Sequence, residues 1–201
     1  MIYPKKIYFG DHVFEVYEQV YEPAEDTFLI ADKLDVKNSD VVLDVGTGCG
    51  LLAVLAAEKA KKVVAIDINP YAIKCAYRNA QTNKVKKKID FRQGNLFEPI
   101  KENELFSLII FNSPYLPSEP NEDSWIERAW DGGPNGRQVI DQFITEVPNF
   151  LLVGGRILLV QSSLSDLTRT FEMFNEIGLD AAVIEEVKIP FETIILVEGK
   201  I

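Results

Sequence analysis

The stretch from Val41 to Lys59 restricts the chain more than any other. Val41-Val-Leu-Asp-Val45 is a short, nearly continuous apolar run; it passes directly into Gly46-Thr-Gly48-Cys-Gly50, and Leu51 to Lys59 then reads as an apolar helix. A run of this kind is a strand covered on both faces, because a half-exposed strand would alternate. The glycines let the chain turn tightly and approach a ligand closely. Strand, glycine turn and helix in succession open a nucleotide-type α/β fold. The alternation continues through a strand at Lys62–Asp67, a helix at Tyr71–Thr82 and strands at Ile89–Arg92 and Leu105–Phe111. A helix is expected from Gln138 to Leu152, with Pro148 kinking or breaking it. Gly154-Gly155 should turn into a strand at Arg156–Val160, and a helix from Ser165 to Glu176 should stop at Gly178. Two closing strands, Ala182–Lys188 and Thr193–Glu198, lie close enough through Pro190 to be antiparallel.

Ahead of this unit, Ile7–Phe9 and Val13–Val16 flank Gly10-Asp11 as a β-hairpin. Tyr21-Glu-Pro-Ala-Glu-Asp-Thr27 then carries a proline and acids at a helix start, and Phe28, Leu29, Ala31 and Leu34 supply an apolar face. The expected organisation is one domain over residues 1–201, with residues 1–36 a hairpin-and-helix extension.

Charge narrows the function. The chain has 21 basic and 31 acidic residues, a net charge of −10. Nucleic-acid readers show a basic face because phosphate contacts dominate affinity, so nucleic acid is a disfavoured partner. The Lys-rich pieces Lys59–Lys62 and Lys84–Lys88 read as solvated helix ends and turns. The longest apolar runs are too short for a bilayer, and the N-terminus lacks the apolar region of a signal peptide. Cys49, Cys75 and the single His12 have no metal or redox spacing, so no metal site is expected and a cytoplasmic, reducing compartment fits.

The strand ends carry the chemistry. Asp44 precedes the glycine turn, where a carboxylate suits a cation or an amino group better than pyrophosphate. Leu51 stands where the dinucleotide fingerprint wants Gly or Ala. Both point to S-adenosylmethionine (SAM) held by Gly46, Thr47, Gly48 and Gly50, rather than to NAD. Asp67, with Ile68 beside it, ends the second strand about 20 residues on, where such domains bind ribose hydroxyls; Asn69-Pro70 can cap the next helix and leave Asp67 free. Asn95, followed by Leu96, sits where an adenine amino group can be bonded, although a turn residue is the plainer reading of an isolated Asn. Thr27 alone reads as an ordinary helix residue. The fourth strand stops at Phe111-Asn112-Ser113-Pro114-Tyr115. Asn112 can accept from and donate to another amide, Pro114 fixes the backbone, and Tyr115 adds a flat face with a polar tip, which together make a clamp for a planar NH2 group. The loop Leu116–Gly136, with Pro117, Pro120, Trp125, Trp130 and Pro134, reads as a lid, a contact surface or a cluster packed beneath it.

Three motifs resemble one family. Asn112-Ser113-Pro114-Tyr115 resembles the Asn-Pro-Pro-Tyr signature of methyltransferases acting on planar nitrogens. Asp131-Gly-Gly-Pro-Asn-Gly136 resembles the segment that follows it in HemK/PrmC protein-glutamine methyltransferases. Tyr21-Glu-Pro-Ala-Glu-Asp-Thr-Phe-Leu29 resembles the N-terminal signature of the short eukaryotic and archaeal branch. The resemblance implies a doubly wound, seven-stranded, mostly parallel class I SAM-dependent methyltransferase sheet with an antiparallel last strand. It implies methyl transfer to a glutamine in the Gly-Gly-Gln loop of a translation termination factor. In that reading Asn112 and the Ser113 carbonyl accept the two amide hydrogens, Tyr115 packs on the amide and Thr27 closes over the cofactor. Ser113 stands where the signature has its first proline, and Asn95 where many members have Asp. The resemblance also implies a small zinc-binding activator subunit, for which the apolar residues of the hairpin are a candidate surface. The rivals are a methyltransferase for an exocyclic amino group of a DNA or RNA base, a non-catalytic SAM-binding protein, and, disfavoured by Leu51, an NAD dehydrogenase.

Overall fold

A computed structural model of the chain describes residues 4–118 and 124–200. In order, the elements are β1 (Lys5–Phe9), β2 (His12–Val16), α1 (Glu25–Lys33), β3 (Val41–Val45), α2 (Leu51–Lys59), β4 (Lys62–Asp67), α3 (Pro70–Thr82), β5 (Ile89–Gln93) and β6 (Phe106–Asn112). Then come α4 (Trp125–Arg128), α5 (Gln138–Glu146), β7 (Leu151–Ser162), α6 (Leu167–Glu176), β8 (Asp180–Ile189) and β9 (Glu192–Lys200). Seven strands pair in the order β5-β4-β3-β6-β7-β9-β8, with β9 antiparallel to both neighbours. The expected sheet is therefore formed, and the antiparallel last strand lies between β7 and β8 rather than at the edge.

The topology reverses between β3 and β6. From β3 the chain winds outward to β4 and β5, then returns to pair β6 on the other side of β3. Right-handed crossovers in opposite directions place α2 and α3 on one face and α5 and α6 on the other. The strands between these layers are buried on both sides: Val42, Leu43, Leu108, Ile109 and Ile110 have no accessible surface. This explains why β3 and β6 read as continuous apolar runs.

The N-terminal hairpin is held by a match of two repeats. Asn79 donates to the Glu15 carbonyl (2.8 Å) and accepts from the Glu15 N–H (2.8 Å). Asn83 does the same for Val13, at 2.9 and 3.1 Å. Four helical residues rise about 6 Å, and two strand residues advance about 6.7 Å, so side chains one turn apart on a helix meet alternate residues of a strand. Phe14 and Val16 are consequently buried in the domain's own core, while Tyr8 remains exposed. Most of the hairpin's apolar surface is thus used internally.

Three expectations shift. The helix from Gln138 ends at Glu146, and Val147–Asn149 form one 3₁₀ turn before β7 starts at Leu151. Pro148 supplies no N–H to extend the helix, although Val147 before it keeps helical dihedrals. Gly154-Gly155 lie inside β7 as an irregularity: pairing passes from Phe106–Leu151 to Leu108–Arg156. The buried face of α1 is Asp26, Thr27, Leu29 and Ile30, with Phe28 and Ala31 only half-buried; apolar periodicity misses a face that carries a carboxylate. Pro120 lies outside the described residues.

Asn79 is fully buried and also donates to the Cys49 carbonyl at 2.8 Å, so it joins the hairpin to the glycine turn. Asn79→Ala leaves buried backbone groups unpaired, each costing about 1–3 kcal/mol. Urea unfolding should show a loss of at least that size, and an unchanged midpoint would refute the anchoring role.

Candidate active site

Parallel pairing of β3 with β6 places Val45 opposite Phe111, so the next residues, Gly46 and Asn112, emerge side by side at the switch point. The glycine turn is tied to β4, with Thr47 N–H on the Ile66 carbonyl at 2.8 Å. Gly50 has φ +84°, and a Cβ there would lie 2.8 Å from Ala76 Cα, so only glycine lets α2 start this close to α3. Asp67 accepts from Gly48 N–H (2.9 Å) and Asn69 N–H (2.8 Å). Asn69 caps α3 through Tyr71 N–H, as expected, but Asp67 is not left free: it braces the turn. Burial pushes the Asp67 carboxyl up to about 6, against the pull of those two N–H groups.

Asp44 is buried beneath the turn, where it accepts from the Thr47 hydroxyl at 2.6 Å. Burial pushes its carboxyl up to about 7; the Thr47 bond opposes this and the Asp67 charge adds to it. Asp44 and Thr47 shape the turn from below and do not line the cavity above it.

That cavity has a volume of about 420 Å³. Of the residues anticipated from sequence, Gly46, Gly48, Asp67, Ile68, Asn95, Leu96, Asn112 and Pro114 line it. Thr27, Gly50, Ser113 and Tyr115 stand behind this lining with Asp44 and Thr47. The site also takes in residues that sequence reasoning left in other roles or did not single out. Tyr21, Asn69, Trp125, Arg128, Gln138 and Gln142 also face the cavity. Trp125, on the short α4, gives the loop after the clamp a place in the cavity wall. Gln138 and Gln142 are one turn apart on α5 and carried no motif.

These residues fit SAM. The volume lies within the usual ligand range of about 300–1,000 Å³. Ile66, Ile68 and Leu96 give apolar walls for a flat base, and Asp67 offers a carboxylate beside a glycine backbone. SAM would be held by the Gly46–Gly48 backbone, Asp67 and the Asn95-Leu96 segment.

The clamp is fixed from several sides. The Ser113 hydroxyl donates to the Val160 carbonyl of β7 at 2.6 Å, which fastens the backbone where the family signature uses a proline ring. Asn112 Nδ2 donates to Thr27 Oγ1 at 3.2 Å. Asn112 Oδ1 is buried without a hydrogen-bond partner, an acceptor that a ligand N–H can satisfy. The Tyr115 hydroxyl is turned away, donating to Asp26 Oδ2 at 3.2 Å beside a separate hollow of about 230 Å³ lined by Tyr21, Ser113 and Trp130. Burial and the Asp26 charge push the Tyr115 and Tyr21 hydroxyls well above their ordinary range, so both remain donors. The Asp131–Gly136 segment buttresses the clamp: Leu116 bridges to Asp131, Gly132 N–H donates to the Leu116 carbonyl at 2.9 Å, and a Cβ on Gly136 would overlap the Tyr115 carbonyl.

Comparison with known proteins gives the family. Residues 23–179 match the family "Methyltransferase small domain". A Methanocaldococcus jannaschii protein whose name assigns it provisionally as a protein N5-glutamine methyltransferase is 42% identical, covering 92% of this chain and 93% of that one. Human methyltransferase HEMK2 is 36% identical over 72% of each chain. The release factor glutamine methyltransferase of Geobacter sulfurreducens is 30% identical over 82% of this chain and 61% of that one. Among solved structures, the E. cuniculi Mtq2–Trm112 complex, described as responsible for methylating the eRF1 termination factor, gives a TM-score of 0.68 at 24% identity over 90% of this chain and 98% of that one. The M. jannaschii tRNA m1G37 methyltransferase gives 0.71 at 23% identity, covering 98% of this chain and 56% of that one. Both share the fold.

The raised Asp44 carboxyl sets a pH dependence. Its proton is held in the folded state and released in the unfolded state between about pH 4 and pH 7, so its contribution to stability falls as pH rises through that window. Asp67 acts in the same direction up to about pH 6. Without added cofactor, the stability of Asp44→Asn relative to the parent should rise by a few kcal/mol between pH 4 and pH 8. Parallel urea-unfolding profiles for the two proteins would contradict a raised Asp44 pKa.

Proposed function

Because the chain belongs to the methyltransferase small-domain family, as a HemK/PrmC-type protein-glutamine methyltransferase, we propose that it methylates the side-chain amide nitrogen of a glutamine in a translation termination factor, with SAM as donor. The observation that carries this reading is Asn112, a residue of the cavity wall whose Oδ1 is buried without a hydrogen-bond partner. A primary amide has two N–H donors and a nearly flat shape, which this acceptor and the fixed Ser113-Pro114 backbone suit.

SAM supplies a methyl group on a positively charged sulfur. The protein's task is to orient a weak nucleophile. Asn112 Oδ1 accepts one amide hydrogen and the Ser113 carbonyl the other, which fixes the nitrogen and raises its electron density. Such alignment lowers the barrier without a strong base. Tyr115 fits a wall rather than a base, because its hydroxyl is engaged with Asp26 and held protonated. Apolar surface from Leu96, Phe111 and Pro114 excludes water around the reacting groups.

The substrate assignment draws on the relatives' names and on the Gly-Gly-Gln recognition that the motifs imply. The Mtq2–Trm112 pairing supports a small partner subunit for this chain as well, and we assign it the zinc-binding activator type. The hairpin is a poor seat for it, since Phe14 and Val16 are already buried. Buried free thiols at Cys49 and Cys75 accord with a cytoplasmic setting.

The test incubates the purified chain and SAM, with and without a small zinc-binding subunit, with a termination factor, tRNA, rRNA and DNA in parallel. Mass spectrometry should find methylation on the Gly-Gly-Gln glutamine alone; transfer to a nucleic acid and none to protein would refute the assignment. Asn112→Ala should lower the rate by roughly 10²–10³, as for loss of one preorganised hydrogen bond. Retention of the parent rate would remove Asn112 from the mechanism.

A further inference from the structure

An asparagine amide has two orientations of nearly the same shape, differing by exchange of oxygen and nitrogen. Only one leaves Oδ1, rather than Nδ2, as the unpartnered group. The preceding reading requires that orientation, and the inference here rests on it.

The residue that Asn112 touches is Thr27, from the N-terminal extension, at 3.2 Å. A threonine hydroxyl can donate or accept, so by itself it would tolerate either face of the amide. Here it is not free to choose. Thr27 Oγ1 donates to Asp26 Oδ1 at 3.1 Å, which leaves its oxygen as an acceptor toward Asn112. The group that meets it must then be Nδ2, and Oδ1 must point the other way. The reversed amide would set two acceptors face to face.

Asp26 is itself surrounded by donors. Thr27 N–H reaches Oδ1 at 2.5 Å, and the Tyr21 and Tyr115 hydroxyls reach Oδ2 at 2.8 and 3.2 Å. Asp26 and Thr27 are both buried. A buried carboxylate at the start of a helix needs no such arrangement to act as a cap, and Asp26 caps nothing beyond its own neighbour. We propose that Asp26 is a positioning residue for Asn112: through the Thr27 hydroxyl it holds the asparagine amide with Oδ1 toward the substrate nitrogen. The Tyr21-Glu-Pro-Ala-Glu-Asp-Thr segment thereby serves the methyl acceptor as well as the fold. Tyr115 belongs to this relay through its hydroxyl.

The relay is tested by a double-mutant cycle on the rate of glutamine methylation at saturating substrate, with SAM affinity and thermal midpoint measured alongside. Thr27→Val keeps the shape and removes the hydroxyl; Asp26→Asn can donate to Thr27 Oγ1 and so frees that hydroxyl to turn toward Asn112. Each should lower kcat by about 10- to 100-fold, the scale of a misplaced catalytic group, with SAM affinity little changed. Thr27→Ser, which keeps the hydroxyl, should restore most of the rate. On an Asn112→Ala background, Thr27→Val should add almost no further loss, because its effect runs through Asn112. Multiplicative losses, or equal rates for Thr27→Val and Thr27→Ser, would overturn the proposal. If Asn112→Ala keeps the parent rate, the acceptor reading fails instead. Should Thr27→Val not fold, NMR on the parent protein decides: a nuclear Overhauser effect between the Asn112 NH2 and the Thr27 methyl is expected, and its absence refutes the relay.

Discussion

Parallel pairing of β3 with β6 is the contact on which everything else depends. It is the place where the winding order reverses, so no crossover helix covers the gap between the two strand tips. The register that sets Val45 against Phe111 brings a glycine turn and an asparagine to the same rim. Side chains along a strand alternate between faces, so a slip of one residue would send Asn112 to the opposite side. Burial of Leu108, Ile109 and Ile110 on both faces keeps the sheet packed between helices and resists that slip.

Three carboxylates lie around this rim, two of them buried and Asp67 half-buried. Asp44 sits under the glycine turn, Asp67 beside it and Asp26 behind the clamp. An unpaired buried charge is costly, and each of these has partners: Thr47 for Asp44, two backbone N–H groups for Asp67, two tyrosines and Thr27 for Asp26. The contrast with Asn112 Oδ1 is then informative. Beside these three partnered carboxylates, an unpartnered acceptor on a residue of the cavity wall points to a ligand.

The N-terminal extension ties fold to chemistry. Its hairpin is pinned on α3 by Asn79 and Asn83, and α1 packs across β6, β7, β8 and β9. That packing presents Asp26 and Thr27 to Asn112 from a segment 85 residues away in sequence. The loop after the clamp works from the other side, with glycines at 132 and 136 allowing backbone to lie against backbone. The clamp is thus held by elements from before and after it in the chain.

How much of this was legible beforehand follows from what kind of information each feature carries. The apolar runs at 41–45, 62–67 and 105–111, the glycines at 46, 48 and 50, and the Asn112–Tyr115 motif state their roles locally, because strand burial, tight turning and strand-end position are properties of short segments. From them the sheet, the cofactor class and the strand-tip part of the cavity lining can be read. The break at Pro148 is legible, but the helix end at Glu146 and the strand start at Leu151 are not, since where a strand resumes depends on the neighbouring strand that it joins. Tertiary structure alone decided which polar side chains face the cavity and which brace it. The Thr47, Ser113 and Tyr115 hydroxyls each donate to a neighbour, to Asp44, the Val160 carbonyl and Asp26 in turn, which no short segment announces. Hydrogen-bond direction between residues far apart in the chain has no sequence signature, and it is this that leaves Asn112 Oδ1 without a partner.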